Sequence, residues 1–464
     1  MNNLGGYLLL AAALALAAIP VAAEPNPEPP YEWVTAYGAK GDGVTDDTDA
    51  IQTTIARSRH GVYFPTGRYL YSKPLIAYGR SIRGSGAAEL ISANARAELD
   101  VSGVWKVDHL IFTPSHPGGN AIVCSDSRDT DYETIIDSNI FKSGFQSNIK
   151  AIHYRLLVIS FNTINVSSCG AGVCASDVKG LVIADNQIRG DDPATSIGVR
   201  TDHSRGCYVC HNKILNFKYG VSLTNCDQSE IRSNDFRSVG IAAAIADSAK
   251  CEVNSNRVSD FGLYGLVDRE NSNIKVNGNA FTNGQGPAIF AWRDRTCEIS
   301  RNRLQDGTVG IASESASNLE LNQNFINNES GAGIYVRNGA QIHIENCDIQ
   351  NVGGAGIFMA GTNNSRILKA NIQKSKQQGI YELRCLGENS IESNRLEDCG
   401  LAATHPAAVI FVNSPQATSI PVVSNEYTGA EKNLDYFIRS MQPQPPTLIF
   451  GNKTNTLLPT KTGP

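Results

Sequence analysis

One asparagine, returning at an almost constant interval, constrains this chain more than any other feature. From about residue 130 a phrase recurs: apolar, polar, apolar, two polar residues, Asn, polar, apolar, as in LVIADNQI, CYVCHNKI, CEVNSNRV and CEISRNRL. Its Asn falls at Asn139, Asn162, Asn186, Asn212, Asn234, Asn256, Asn279, Asn302 and Asn324, at separations of 22 to 26 residues. Cys347 and Ala370 take the next two slots, and Asn394 restores the pattern. A second phrase interleaves with the first: a small residue, an aliphatic one, then a short alternating run. It reads GVRTD from Gly198, GLVDR from Gly265, AIFAW from Ala288, GIYVR from Gly333 and GIYEL from Gly379.

A repeat of this length denotes a solenoid or a propeller. Each unit has room for two or three short strands with Asn or Gly corners, and none has the periodicity of a helix. Propeller blades need about 40 residues or more, and the fixed Leu offsets of leucine-rich repeats are absent. The expectation is an all-β chain folded as a parallel β-helix, in which stacked strands bury an apolar column and Asn side chains bond from coil to coil. About 12-13 coils at ~4.8 Å each predict a rod roughly 60 Å long. The 464 residues therefore form one elongated domain instead of three globules.

The flanks divide accordingly. Met1 to Ala23 reads as a signal peptide, with an apolar run from Leu8 to Ala18 too short to span a bilayer and a small-residue site at Val21 and Ala23, although its start carries no Lys or Arg. Residues 24–30 (EPNPEPP) are a stiff Pro-rich linker. The N-terminal cap and first coils take 31–100, the β-helix 101–430, and a C-terminal coil and tail 431–464. The expected location is secreted or periplasmic, with no membrane contact once the signal is removed. With 45 acidic against 40 basic residues and no basic run, nucleic acid is excluded as a partner.

Export makes the 11 cysteines worth placing. Cys207, Cys251 and Cys297 share one slot, two coils apart, which is too far for disulfides and fits small buried hydrophobes. Cys207 and Cys210 within one strand point to opposite faces, against a metal site. Cys169 and Cys174 are the most plausible local pair.

Residues 36–72, AYGAKGDGVTDDTDAIQTTIARSRHGVYFPTGRYLYS, carry a resemblance. Gly38, Gly41, Asp42, Gly43, Asp46, Asp47, Ile51, Gln52, Phe64, Pro65, Gly67 and Tyr69 resemble the opening of the pectate-lyase superfamily, which includes rhamnogalacturonase-like, epimerase-like and phage tailspike proteins. The resemblance implies a right-handed parallel β-helix, capped by a helix near Asp46 to Ser58, and carbohydrate work; it transfers no catalytic residue. Thr45 or Asp46 is a fair N-cap, so Asp42, Asp46 and Asp47 read as turn and cap chemistry instead of a metal site. The motifs usual in pectin hydrolases of this fold, G-H-G and R-I-K, are absent, as is the epimerase motif D-P-H-D.

Alternation in the second phrase assigns an outward face. It holds Arg200 and Asp202 at one end, then Arg269, Phe290, Trp292, Glu314, Tyr335, Arg337 and Tyr381. Aromatic faces stack on sugar rings and Arg neutralises acidic sugars, so this row is the expected polysaccharide-binding groove. The densest group of ionisable residues lies at the strand ends: Asp247, Asp268, Arg269, Glu270, Arg293 and Asp294. Two such carboxylates could work as acid and base or nucleophile in glycoside hydrolysis. Arg beside a uronate carboxylate, with a base, gives β-elimination, and calcium is the cofactor that route would recruit. Arg200, Arg269 and Arg337 favour the lyase; a hydrolase, an epimerase, or a noncatalytic saccharide-binding protein of exopolysaccharide assembly or export are the alternatives. A solvated ion-pair ladder is the structural reading of the same residues. Asp191-Asp192, with Arg200, Asp202 and His203, is a second candidate, in the longest interval of the regular run.

Overall fold

The computed structural model describes residues 31–125, 133–400, 408–414, 417–429, 436–441, 449–455 and 458–462. The signal peptide and Pro-rich linker read from the sequence lie outside the described residues. Among the described residues the chain winds through three columns of strands, each strand running parallel to its neighbours and hydrogen-bonded to the coil before and the coil after. One representative coil shows the plan: Arg295–Ser300 in the first sheet, Arg303–Gln305 in the second and Ile311–Glu314 in the third. These pair in register with the next coil at Cys297↔Leu319, Leu304↔Ile326 and Ile311↔Ile334. Alternate residues point inward, so Cys297, Ile299, Leu304 and Ile311 are buried while Arg303 and Glu314 face outward.

The solenoid makes about 17 turns, more than the Asn repeat indicates. Most of the additional coils lie before residue 130, from Glu32–Trp33 of the first sheet onward, where the same ladders form without the Asn, and one more follows residue 430 at Asn452. At ~4.8 Å per coil the rod is roughly 80 Å long. The one α-helix among the described residues, α1 (Thr48–Arg57), packs Ile51 and Ile55 against the Val34–Tyr37 turn and the opening strands. Its start is held by Asp46, whose Oδ1 accepts the Thr48 amide at 3.0 Å. Asp47 accepts the Lys40 and Gly41 amides, and Asp42 those of Val44 and Thr45. All three carboxylates are thus spent on turns and the helix start. Among the described residues no helix is long and apolar enough to cross a membrane.

The repeating Asn occupies the corner between the first and second sheets, where the chain passes through a left-handed residue such as Ser255 (φ 56°). Each Asn Oδ1 accepts the backbone amide of the Asn one coil earlier, at 2.9 Å from Asn234 to Asn256 and again from Asn256 to Asn279. Each Nδ2 donates to a core-facing carbonyl, Asn256 to Ile231 O at 2.9 Å. The ladder lapses at Cys347 and Ala370, resumes at Asn394, and continues through Asn425 and Asn452. The glycine of the second phrase has a separate cause. A Cβ on Gly333 would stand 2.5 Å from the Ile349 side chain, and one on Gly356 2.4 Å from that of Ile372, so large aliphatics of the second sheet reach over the start of the third.

All eleven cysteines are free thiols. Cys207, Cys251 and Cys297 are buried in the first-sheet column as their spacing indicates. The expected Cys169–Cys174 bridge is absent: Cys174 projects outward from mid-strand, in register with Arg200, whereas Cys169 sits exposed in the preceding turn.

Candidate functional site

The third sheet carries the outward face read from the sequence. Its register sets Arg200 against Ser222, Val267 against Phe290, and Tyr335 between Ala312 and Phe358. The neighbouring row runs Asp202, Thr224, Ala246, Arg269, Trp292, Glu314 and Arg337. Strand alternation thus puts both rows outside, as expected.

Where the second row meets the turn, five side chains converge. Trp292 lies under two guanidinium groups, with Arg269 4.9 Å and Arg293 4.4 Å from its ring centroid. Glu270 faces both, its carboxylate 3.3 Å from Arg293 and 3.9 Å from Arg269. Glu314 pairs in register with Trp292 on one side and Arg337 on the other. Asp247, Glu270 and Arg293 occupy the same left-handed corner on successive coils, with φ of 51°, 57° and 55°. Backbone bonds stack these corners, Glu270 N–H to Trp292 O and Arg293 N–H to Glu314 O, both at 2.9 Å. The result is a cation-rich patch organised on an indole.

Asp268 and Asp294 do not join it. The sequence placed both with this group, but both are buried inside the solenoid. Asp268 is the inward residue between Val267 and Arg269, and its register partners are Ile245 and Ala291. Its carboxylate accepts bonds from the Asn271 side chain and the Cys297 thiol, the latter at 3.2 Å. Asp294 Oδ1 accepts the Asn271 amide at 2.9 Å, while Oδ2 has no partner. Burial pushes both carboxyls up, and Asp268 pushes Asp294 further. Neither can reach a substrate on the outer face.

The aromatic row is also arranged differently from the expectation. Tyr335 and Phe358 stack on each other at 5.1 Å and 13°, as do Tyr264 and Phe290 at 5.2 Å and 15°. Their faces are turned along the rod toward one another, so solvent meets ring edges. Tyr381 breaks the stack, standing at 84° to Phe358.

The second candidate is split across the third sheet. Asp191 and Asp192 come before the strand Ile197–Asp202, and Asp202 and His203 end it. Asp192 accepts the Ala194 amide and the Thr195 hydroxyl, both at 2.8 Å, which is turn chemistry. Asp191 lines a separate cavity of about 480 Å³ with Lys142, Arg189 and Asn216. At the other edge His203 Nδ1 lies 2.9 Å from Asp202.

Two buried acids without a partner for either oxygen escaped sequence reading. Glu382 points inward between Met359 and Val412, without a partner for either oxygen, and burial pushes it up to about 8. The signal was present: in GIYEL, as in GLVDR, the third residue after Gly has inward parity. Glu329, also unpartnered, is pushed up to about 7 by burial and lies in the corner between the second and third sheets. Among the described residues, no three His, Cys, Asp or Glu side chains gather closely enough to hold a metal ion.

Two family models match this chain in tandem: "Rhamnogalacturonase A/epimerase, pectate lyase-like" over residues 33–261, and "Right handed beta helix region" over 287–441. The chain is a right-handed β-helix protein whose residues 33–261 are similar to the pectate-lyase-like family. Curated relatives of this β-helix protein match over short stretches. It is 34% identical over 108 residues to the non-secreted LysM effector LysM19 of Penicillium expansum, covering 19% of this chain and 8% of that one. It is 44% identical over 70 residues to a glucan 1,3-beta-glucosidase of Cochliobolus carbonum, covering 11% and 9%. The chain thus spans less than a tenth of the length of these relatives. Among solved structures, the surface adhesin PfbA of Streptococcus pneumoniae aligns at 15% identity and a TM-score of 0.41, over 71% of this β-helix protein and 91% of the adhesin.

Proposed function

We propose that this β-helix protein is exported and acts on an acidic polysaccharide bound along the outer face of the third sheet, cleaving it by β-elimination. The observation that carries the reading is the Trp292 patch, where Arg269 and Arg293 flank an indole and Arg337 follows on the next coil but one. Guanidinium groups held in place by stacking are preorganised for a uronate carboxylate. Neutralising that carboxylate acidifies the proton on the adjacent carbon. Glu314, in register with Trp292, is the nearest outward carboxylate outside the Glu270 ion pairs and takes the role of base. Loss of the proton forms the ring double bond as the bond to the leaving glycosidic oxygen breaks, and water protonates that oxygen. The pectate-lyase-like family match and the signal-like N-terminus support the substrate class and the export.

Hydrolysis is the second reading, favoured by the short stretch similar to a glucan glucosidase. It would use Glu270 and Glu314, two coils or roughly 10 Å apart, near the spacing of an inverting pair. The test is a screen of residues 24–464 against polygalacturonate, alginate and exopolysaccharides, with and without calcium, following ultraviolet absorbance and reducing ends. Absorbance that rises with the wild type and disappears in Arg269→Ala supports elimination. Reducing ends without absorbance move the assignment to the carboxylates. Silence in both channels with binding retained leaves a saccharide-binding protein.

A further inference from the structure

The edge of the third sheet opposite the Trp292 patch holds a concave groove of about 760 Å³. The patch lies after the third-sheet strands in chain order; this groove lies before them, at the corner leading in from the second sheet. Asp306, Asn328, Asn351, Lys374 and Asp398 line it, one from each of five successive coils. At ~4.8 Å per coil they mark out roughly 19 Å along the rod. Asn and Asp are common where the chain turns through φ near +55°, as all five do here, so their presence alone is turn chemistry. Two further observations are not explained by the turn.

The first is the concavity, which turns of equal size do not require. The second is Glu329 in the wall of the groove: only 2% exposed, with no hydrogen-bond partner for either carboxyl oxygen. Other residues of its column are Phe261, Gly284, Gly307, Val352, Ser375 and Cys399, as the coil-to-coil backbone bonds fix, so Glu329 is its one ionisable carboxylate. Glu329 reaches back over Gly307, where a Cβ would stand 2.6 Å from its Oε2. An apolar residue would fill this site without leaving a buried polar group unpaired. A hydrogen-bonding group retained without a protein partner, in the wall of a polar groove, fits a ligand rich in hydroxyls.

Charge decides the class. Asp306 and Asp398 are balanced by Lys374 and Lys376, and burial favours the neutral form of Glu329. Successive coils offer a carboxylate, two amides, an ammonium and a carboxylate, the amides of Asn328 and Asn351 donating to Asp306 and Asn327 and keeping their oxygens as acceptors, without the excess of guanidinium found at the Trp292 patch. We propose that this groove is a second, noncatalytic saccharide site that takes an uncharged linear glycan lying parallel to the rod axis. The site is independent of the reaction assigned to the opposite edge.

The experiment measures binding of neutral glucose hexamers with β-1,3, β-1,4 and α-1,4 linkages to residues 24–464 by calorimetry. Arg269→Ala should bind the preferred hexamer as the wild type does, while the double variant Asn328→Ala/Asn351→Ala should weaken it at least tenfold. Chemical shifts of backbone amides at Gly307, Ser330 and Gly353 should move with the hexamer in the wild type, which serves as the control if the double variant fails to fold. Absence of binding to all three hexamers overturns the proposal. So does binding that survives the double variant, or that is lost in Arg269→Ala. Because no arm uses turnover of an acidic polymer, failure of the lyase assignment leaves this result intact.

Discussion

Two corners of the same coil solve the same problem differently. Between the first and second sheets, nine successive coils place Asn in the corner and repeat one set of bonds. Between the third sheet and the first, the corresponding buried slot passes through Ser204, Cys226, Ser248, Asn271 and Asp294. There, too, Ser204, Ser248, Asn271 and Asp294 each accept an amide of the coil before, Ser248 Oγ from Cys226 at 2.9 Å and Asn271 Oδ1 from Ser248 at 2.6 Å. The backbone requirement is met at both corners, but the first meets it with one residue type over nine successive coils. The second tolerates substitution, and the exposed residues beside it are the ones that diversify into Asp247, Glu270 and Arg293. Chemical variety sits where the scaffold needs only an acceptor.

That contrast breaks most forcefully at the Asn ladder. Asn256→Ala deprives the Asn234 amide and side chain of their acceptor and removes the Asn256 side-chain donor from Ile231 O, all in the buried interior. The expected loss is about 3–5 kcal/mol or failure to fold, read by urea denaturation. Next comes an acid buried without partners. The proton on Glu382 is held more tightly folded than unfolded, so its contribution to stability is full below its unfolded value near 4.5 and is lost as pH rises through about 8. Glu382→Met, matching its neighbour Met359, should therefore stabilise by roughly 2 kcal/mol at pH 8.5 and far less at pH 4.5, measured by thermal melts. Asp294→Asn keeps the acceptor for Asn271 and removes the buried charge, and should stabilise by about 1–2 kcal/mol above neutral pH with the same sign of pH dependence. Ser248→Ala tests the permissive corner itself; about 1 kcal/mol is the expected cost, since one amide and one hydroxyl bond are lost. Smallest of all, Cys347→Asn restores an acceptor for the Asn324 amide and should gain about 0.5–1 kcal/mol. A cost there would show instead that the slot has packed around the Cys347 thiol and no longer accepts Asn.

Much of the fold was legible because the backbone demands recur with the coil. The Asn slot, the Gly before each third-sheet strand and the inward parity of Ile289 or Ile334 all report conditions repeated every 22 to 24 residues in most of the rod. The first coils escaped because their corners use other residues: the Leu110 amide already bonds to Asn139, but nothing in the Asn position announces the coil before it. The outward placement of Arg269, Trp292 and Arg337 followed from alternation, whereas grouping Asp268 with them ignored the same alternation. Asp294 was harder, since it sits in the corner slot, where side-chain direction follows the turn and not strand parity. Ring orientation was not legible at all. The 5 Å coil spacing makes Tyr335 and Phe358 stack on each other, a consequence of their shared row that no single strand reveals.

The parallel registers also give the rod a mechanical direction. Every sheet hydrogen bond joins one coil to the next, as in Leu319↔Ile342 and Ile334↔Ile357, so these bonds lie along the long axis. Tension applied to the two ends of the solenoid therefore loads one coil junction at a time, and coils peel from the ends in steps. A force across the rod is shared instead by covalent backbone within each coil. A glycan pulling sideways on the third sheet meets the stiff direction of the molecule.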